Sequence, residues 1–153
     1  MKKFLWLLPL LAACDPARIY EQYYDFPERY WPVNEKPEFS FSVTDTSASY
    51  NLYVNLRHDN NYPFANLYFI FALADSSAAV YQKLHSADLF DKNGRPLGKS
   101  GIGFLFDRRV PVLKDFRFRK PGPYTVTLEH FMRTDTLRGM RAAGLRVERS
   151  NLQ

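Results

Sequence analysis

The chain has 153 residues, of which 46% are hydrophobic and 16% aromatic, and it carries a formal net charge of +5. This length and apolar content suit one folded domain and exclude an intrinsically disordered chain. A single cysteine excludes an intramolecular disulfide, and no apolar run approaches the roughly 18–20 residues of a membrane-spanning helix, so neither a disulfide scaffold nor a transmembrane protein is expected.

The N-terminus has the pattern of a bacterial lipoprotein export signal. It begins with two lysines after the first methionine, continues as a short apolar run and ends in two alanines before Cys14. The tetrapeptide LAAC resembles a lipobox, in which the cysteine becomes the first mature residue. We therefore predict that residues 1–13 are removed. A diacylglycerol on the sulfur of Cys14 and an acyl chain such as palmitate on its amine are then expected to anchor the protein. The alternative is an ordinary secreted protein whose cysteine is incidental.

Residues 14–36 are rich in aromatic side chains, and Pro27 and Pro32 forbid a long helix there. We interpret this segment as a lipidated tether that forms a short helical turn and then extended chain. Two roles are open for its aromatic side chains: they pack on the domain, or they form a docking surface for a partner protein. The candidate partner-binding residues are Tyr20, Tyr23, Tyr24 and Trp31.

From residue 37 onward the hydrophobic period is two, as in half-buried strands. The stretch EFSFSVT, residues 38–44, alternates apolar with polar side chains, and YNLYVNLRH, residues 50–58, does the same. The stretch NLYFIFALA, residues 66–74, is apolar on both faces. This pattern predicts either a central strand covered on two sides or a strand that meets a partner.

Several further short strands are predicted, at residues 80–90, 102–106, 114–119, 124–131 and 145–148. Turn signals such as Asn93-Gly94 separate them, and no segment has a sustained helical period. We therefore predict an all-β fold, an antiparallel β-sandwich of the jelly-roll or immunoglobulin-like kind, with a barrel as the alternative. The single sandwich domain is expected to cover residues 37–149, and residues 150–153 form a C-terminal tail.

The sequence offers no intact catalytic or metal-binding motif. GRPLGKS, residues 94–100, resembles a phosphate-binding loop, but its glycines are too close together and Pro96 removes a needed amide, so a hairpin turn is predicted instead. His58, His85 and His130 lie far apart, without the spacing of zinc ligands. We predict no catalytic residues, no metal and no cofactor other than the attached lipid. The bases are scattered, so nucleic acid is not expected as a partner. No small-molecule substrate is expected either.

Several stretches together resemble the gliding motility lipoprotein GldH family of Bacteroidetes. The most specific is YNLYVNLRHDNNYPFANLYFIF, residues 50–71, which is similar to a paired-strand block of that family. Further similar stretches are YEQYYDFP at 20–27, LFDKNGRPLGKSGIG at 89–103, LEHFMR at 128–133 and LRGMRAAGLRVE at 137–148. The resemblance implies a membrane-anchored accessory of the gliding machinery and of the associated type IX secretion system, with Cys14 as the lipid site.

The leading hypothesis is a non-enzymatic component or assembly factor of this machinery that binds protein partners in the cell envelope. The alternative is a lipid-anchored glycan-binding β-sandwich module, since tyrosine and tryptophan stack on sugars. A row of coplanar exposed rings would favour a glycan, and a broad mixed patch would favour a protein. No acidic run follows Cys14, so we expect the periplasmic face of the outer membrane rather than display on the cell surface.

Overall fold

The structure is a computed structural model that describes residues 15–150. Within this range the chain forms eleven strands and no helix, so the predicted all-β class is confirmed. The strands are β1 Arg18–Asp25, β2 Tyr30–Pro32, β3 Glu38–Val43, β4 Tyr50–His58, β5 Asn66–Asp75, β6 Ala79–Asp88, β7 Lys99–Ser100, β8 Phe106–Phe116, β9 Gly122–His130, β10 Thr136–Arg138 and β11 Met140–Arg149. In this part of the chain, no helix is long and apolar enough to cross a membrane.

Nine of the strands make up two antiparallel sheets. The first sheet has five strands in the order β1-β11-β4-β8-β7, and the second has four in the order β3-β9-β5-β6. β2 and β10 pair separately, with Trp31 opposite Leu137. Buried side chains from both sheets form one hydrophobic core, which is the arrangement of a sandwich.

The core contains the side chains that the alternating patterns assigned to it. In β3 the two phenylalanines and the valine are buried, and the residues between them are exposed. In β4 the even-numbered residues from Tyr50 to Leu56 are buried. β5 lies between β9 and β6, and its odd-numbered residues from Leu67 to Leu73 face the core. The even-numbered face of β5, which is also apolar, points away from the core and is only partly covered.

Residues 18–32 belong to the sandwich and are not a tether. β1 pairs with β11, from Arg18 opposite Glu148 to Asp25 opposite Ala142, and β2 pairs with β10. The predicted helical turn is therefore wrong, and the sandwich begins at β1 rather than at residue 37. No residue of β1 is fully buried, so its sequence lacks the alternation that marks a half-buried strand.

The chain from the end of β6 to the end of β8 also differs from the prediction. The strand expected at residues 102–106 is a loop up to residue 105, and only Phe106 enters β8. The strand expected at 114–119 is instead the end of β8, which stops at Phe116. The predicted hairpin turn at Asn93-Gly94 is confirmed, because the Gly94 amide donates a hydrogen bond to the Asp91 carbonyl at 2.9 Å.

The strands run between two ends of the sandwich, which carry different loops. The Asp15 end carries residues 15–17, 44–49, 76–78, 117–121 and 150. The Phe131 end carries residues 26–29, 59–65, 89–98, 101–105 and 131–135. Both sheets end together, because the Phe118 ring lies 5.3 Å from the ring of Tyr50 in one sheet and 4.6 Å from that of Tyr124 in the other.

Candidate functional site

Trp31, which the sequence suggested as a partner-binding residue, is part of the core. Its side chain is 0% exposed, and its ring stacks on Phe26 at 5.2 Å and meets the edge of His130 at 5.4 Å between centroids. The indole nitrogen donates a hydrogen bond to the Glu35 carbonyl at 2.7 Å. A side chain enclosed in this way cannot contact a partner, so the docking assignment of Trp31 is wrong.

The three candidate tyrosines of β1 do not form one surface. Tyr20 packs against the core side of the sheet, and the Tyr24 hydroxyl on the same side donates a hydrogen bond to the Glu35 carboxylate. Tyr23 points to the opposite, outer side, where it is partly exposed. The structure therefore separates these residues rather than bringing them together. Cys14, the predicted lipid site, lies outside the described residues.

The outer side of the five-stranded sheet carries a network of ion pairs centred on Arg146. This arginine is 6% exposed, and its guanidinium contacts Glu148 at 2.8 Å, Glu21 at 3.0 Å and the carboxylate of Asp15. Burial lowers the pKa of Arg146, but hydrogen bonds to the carboxylates more than offset this and raise it. The pKa of Asp15 is lowered, chiefly by its hydrogen bond with Arg146. The network joins residue 15, β1 and β11.

A second polar group extends the network across β4 to β8. Asn55, which is buried, donates a hydrogen bond to Glu21 at 3.1 Å. Arg57 pairs with Asp107 at 2.8 Å, and its guanidinium lies over the Tyr23 ring at 4.8 Å. The hydrogen bond to Asp107 is the main cause that raises the pKa of Arg57. Since these groups bind one another, the outer side of this sheet serves to hold β1 in place.

Exposed apolar side chains collect at the Phe131 end of the four-stranded sheet. Together with Arg133 they surround a shallow hollow of about 480 Å³. We call this set the Phe131 surface, and its members are the exposed Phe64, Tyr68, Leu84 and Phe131 and the partly buried Met132. Phe131 is 59% exposed and Leu84 is 46% exposed. Contiguous apolar patches of this kind mark interaction sites.

The strands direct these side chains outward. Tyr68 lies on the outer face of β5, and Leu84 lies on that of β6, opposite Ile70. Phe131 follows the last residue of β9, and its amide donates a hydrogen bond to the Tyr68 carbonyl at 2.7 Å. The Tyr68 amide in turn donates to the sulfur of Met132 at 3.3 Å. The doubly apolar pattern of β5 predicted a second cover or a partner, and among residues 15–150 no second layer of strands lies over this face.

Two further apolar side chains project from the loop 101–105 at the same end. Ile102 is 97% exposed and Phe104 is 75% exposed. Phe104 has φ 58°, a left-handed conformation that costs a non-glycine residue about 1–2 kcal/mol. Asn60 lines one hollow together with this loop and a second hollow together with Phe64. The exposure of these residues was not predicted from the sequence, because they were assigned to a strand.

Two histidines at this end, His58 and His130, lie within the core. Burial is the main cause that lowers the pKa of each. The His58 ring packs 5.1 Å from the Phe90 ring, and His130 is the last residue of β9. Among residues 15–150, no three His, Cys, Asp or Glu side chains lie close enough to hold a metal ion.

The fold and its exposed surface define a small antiparallel β-sandwich with an apolar patch at one end. A family model described as GldH lipoprotein matches residues 18–147, from the first residue of β1 to Val147 of β11. The chain therefore belongs to the GldH lipoprotein family, and the resemblance noted in its sequence is confirmed.

Two curated relatives match over nearly the whole chain. The chain is 26% identical to a gliding motility lipoprotein GldH homolog of Christiangramia forsetii, over 97% of this chain and 94% of that protein. It is 28% identical to the gliding motility lipoprotein GldH of Flavobacterium johnsoniae, over 93% of this chain and 91% of that protein. The VP2 subviral particle of infectious bursal disease virus matches 95% of this chain and 36% of that chain with 13% identity, but its TM-score of 0.32 is too low to inform either fold or function.

Proposed function

We propose that the protein is a non-enzymatic component or assembly factor of the gliding motility and type IX secretion machinery. It binds a protein partner of that apparatus through the Phe131 surface. Membership of the GldH lipoprotein family supports a role in gliding motility. The observation that carries the binding role is the contiguous exposure of large apolar side chains at one end of the sandwich. Such a surface is costly in water unless a partner covers it.

Lipid on Cys14 anchors this protein in the cell envelope, at the periplasmic face of the outer membrane. The LAAC motif and the lipoprotein family support the anchor. In this role the protein holds its partner within the cell envelope through a docking surface.

The chemistry of the Phe131 surface favours a protein over a glycan. It mixes aromatic, aliphatic and thioether side chains, and protein interfaces are enriched in aromatic residues, methionine and arginine. On the other sheet, guanidinium groups cover the exposed rings: Arg57 lies 4.8 Å from Tyr23, and Arg109 lies 5.8 Å from Tyr53. These covered rings do not provide the open row on which a sugar would stack.

The test compares two exposed positions of β6. Leu84 belongs to the Phe131 surface, and Val80 lies four residues earlier in the same strand and is 40% exposed. In a gliding bacterium whose own gene for this protein has been deleted, we expect the double variant Leu84→Ser/Phe131→Ser to abolish motility and Val80→Ser to preserve it. A photo-crosslinker should capture one partner from position 84 and none from position 80. Normal motility of the double variant, at normal protein levels, would overturn the docking role.

A further inference from the structure

We propose that the Asp15 end of the sandwich docks on anionic phospholipid headgroups. The docking residues form a set that we call the basic rim: Lys114, Arg117, Arg119 and Lys120. This inference rests on the proposed lipid anchor at Cys14 and adds an orientation to it. The sandwich stands with its Asp15 end on the bilayer, and the Phe131 surface points away from the membrane.

The chain leaves the described fold at the Asp15 end, in a fixed position. Arg146 contacts the carboxylate of Asp15, and this carboxylate accepts a hydrogen bond from the Ala17 amide at 3.2 Å. The Arg149 amide donates to the Ala17 carbonyl at 2.8 Å. These contacts hold residues 15–17 against the end of β11. A lipid on the preceding residue therefore brings this end of the sandwich to the bilayer.

The basic rim lies at the same end, on β8 and the loop that follows it. All four of its side chains are exposed, and they border a hollow of about 610 Å³ together with Asp75 and Phe116. Tyr50 of β4 pairs with Phe116 on one side and with Arg149 on the other. The end of β8 is thus two strand spacings, about 10 Å, from the end of β11. A bilayer that reaches residue 14 reaches the basic rim as well.

The charge of the basic rim is complementary to an anionic surface. Among residues 15–150, no carboxylate lies within 4.0 Å of the charged groups of Lys114, Arg117 or Arg119. Lys120 lies 3.8 Å from Asp75, and Asp115 is the one acid between Lys114 and Lys120 in the sequence. Each base close to an anionic bilayer strengthens attachment about fivefold, and added salt weakens it. The basic rim is therefore a second membrane signal beside the lipid.

The experiment measures which end of the lipidated full-length protein faces the bilayer. Because lipid occupies Cys14, one introduced cysteine can carry a fluorophore, either Ser76→Cys at the Asp15 end or Asn93→Cys at the Phe131 end. Energy transfer to a headgroup dye is measured on vesicles of phosphatidylcholine, alone or mixed with phosphatidylglycerol. On the anionic vesicles we expect strong transfer from position 76 and weak transfer from position 93, with the difference reduced by salt.

Matched charge variants complete the test. Arg117→Gln/Arg119→Gln should lower the ratio of docked to undocked protein about 25-fold on anionic vesicles, whereas Arg133→Gln/Arg138→Gln, which removes the same charge at the other end, should not. Equal transfer from both positions, or equal effects of the two double variants, would overturn the docking while leaving the anchor intact. Failure of the unsubstituted protein to float with neutral vesicles would overturn the anchor itself.

Discussion

Arg146 contacts the carboxylate of Asp15, although 131 positions separate them in the sequence. The same guanidinium binds Glu21 of β1 and Glu148 of β11. One buried cation thus fastens the first described residues of the chain to its last strand. Asp15 directly follows Cys14, so this contact is adjacent in sequence to the proposed lipid site.

Replacement of Arg146 should therefore loosen β1. Arg146→Met leaves Glu21 and Glu148, whose side chains are 17% and 19% exposed, without their shared partner. We expect the free energy of unfolding, measured with urea, to fall by about 2–4 kcal/mol, somewhat less than for a fully buried pair. Arg109→Met is the control, because the Arg109 side chain is 48% exposed and lies 3.5 Å from Glu21, so it should cost below about 1 kcal/mol. Equal losses in the two variants would contradict the central role of Arg146.

Trp31 and Tyr24 should respond differently to truncation. Trp31→Ala removes a fully buried ring and should lower the free energy of unfolding by about 3–5 kcal/mol. Tyr24→Ala removes a partly exposed ring and should cost about 1 kcal/mol or less. Thermal melts followed by circular dichroism compare the two variants directly. A melting temperature of Trp31→Ala close to that of the unsubstituted protein would refute the burial described for this side chain.

Stability should fall in mildly acidic solution because of the two buried histidines. Burial lowers the pKa of His58 and of His130 below the usual 6.5, so the unfolded chain takes up protons that the folded chain does not. Their contribution to stability is complete above about pH 6.5 and is lost as the pH falls from there toward the folded pKa values. We expect His58→Phe/His130→Phe to flatten this slope between about pH 7 and pH 5. A slope unchanged in the double variant would assign the effect to other groups.

Substitutions at Gly139 and Gly94 distinguish the cost of a positive φ from the cost of a steric clash. Both have positive φ, 77° and 75°, but a Cβ on Gly139 would lie 2.3 Å from the Tyr62 amide nitrogen, whereas a Cβ on Gly94 would meet nothing within 4 Å. Gly94→Ala should therefore cost about 1–2 kcal/mol from conformation alone. Gly139→Ala should cost clearly more, because the Tyr62 backbone must move. Urea denaturation of both variants measures the difference, and similar costs would argue against the close approach.

The sequence predicted those strands whose two faces differ in environment. β3 and β4 each have one side in the core and one toward polar surroundings, so their apolar residues alternate. β1 could not be found in this way, because none of its residues is fully buried and its attachment depends on Arg146, far away in the chain. Pairing partners of this kind become visible only once the strand order is known.

The apolar surface was predictable in part. The pattern of β5 indicated that its outer face needs a cover, and Tyr68 lies on that face. Ile102 and Phe131 were assigned to predicted strands, whereas in the structure both lie in loops, where alternation along a strand does not determine the direction of a side chain. Trp31 illustrates the reverse error: aromatic content cannot distinguish a core ring from a docking ring, and the pairing of β2 with β10 is what encloses it.

The length of β11 gives the anchored protein a defined height above the bilayer. This strand has ten residues and spans about 33 Å from the Phe131 end to the Asp15 end. With lipid on Cys14 and the Asp15 end at the headgroups, the Phe131 surface lies about 30 Å into the aqueous compartment, a distance similar to the hydrocarbon thickness of a membrane. A protein that lies flat in the same leaflet does not reach this surface. In the proposed orientation, a partner would therefore extend a domain or a segment of chain that far from the membrane.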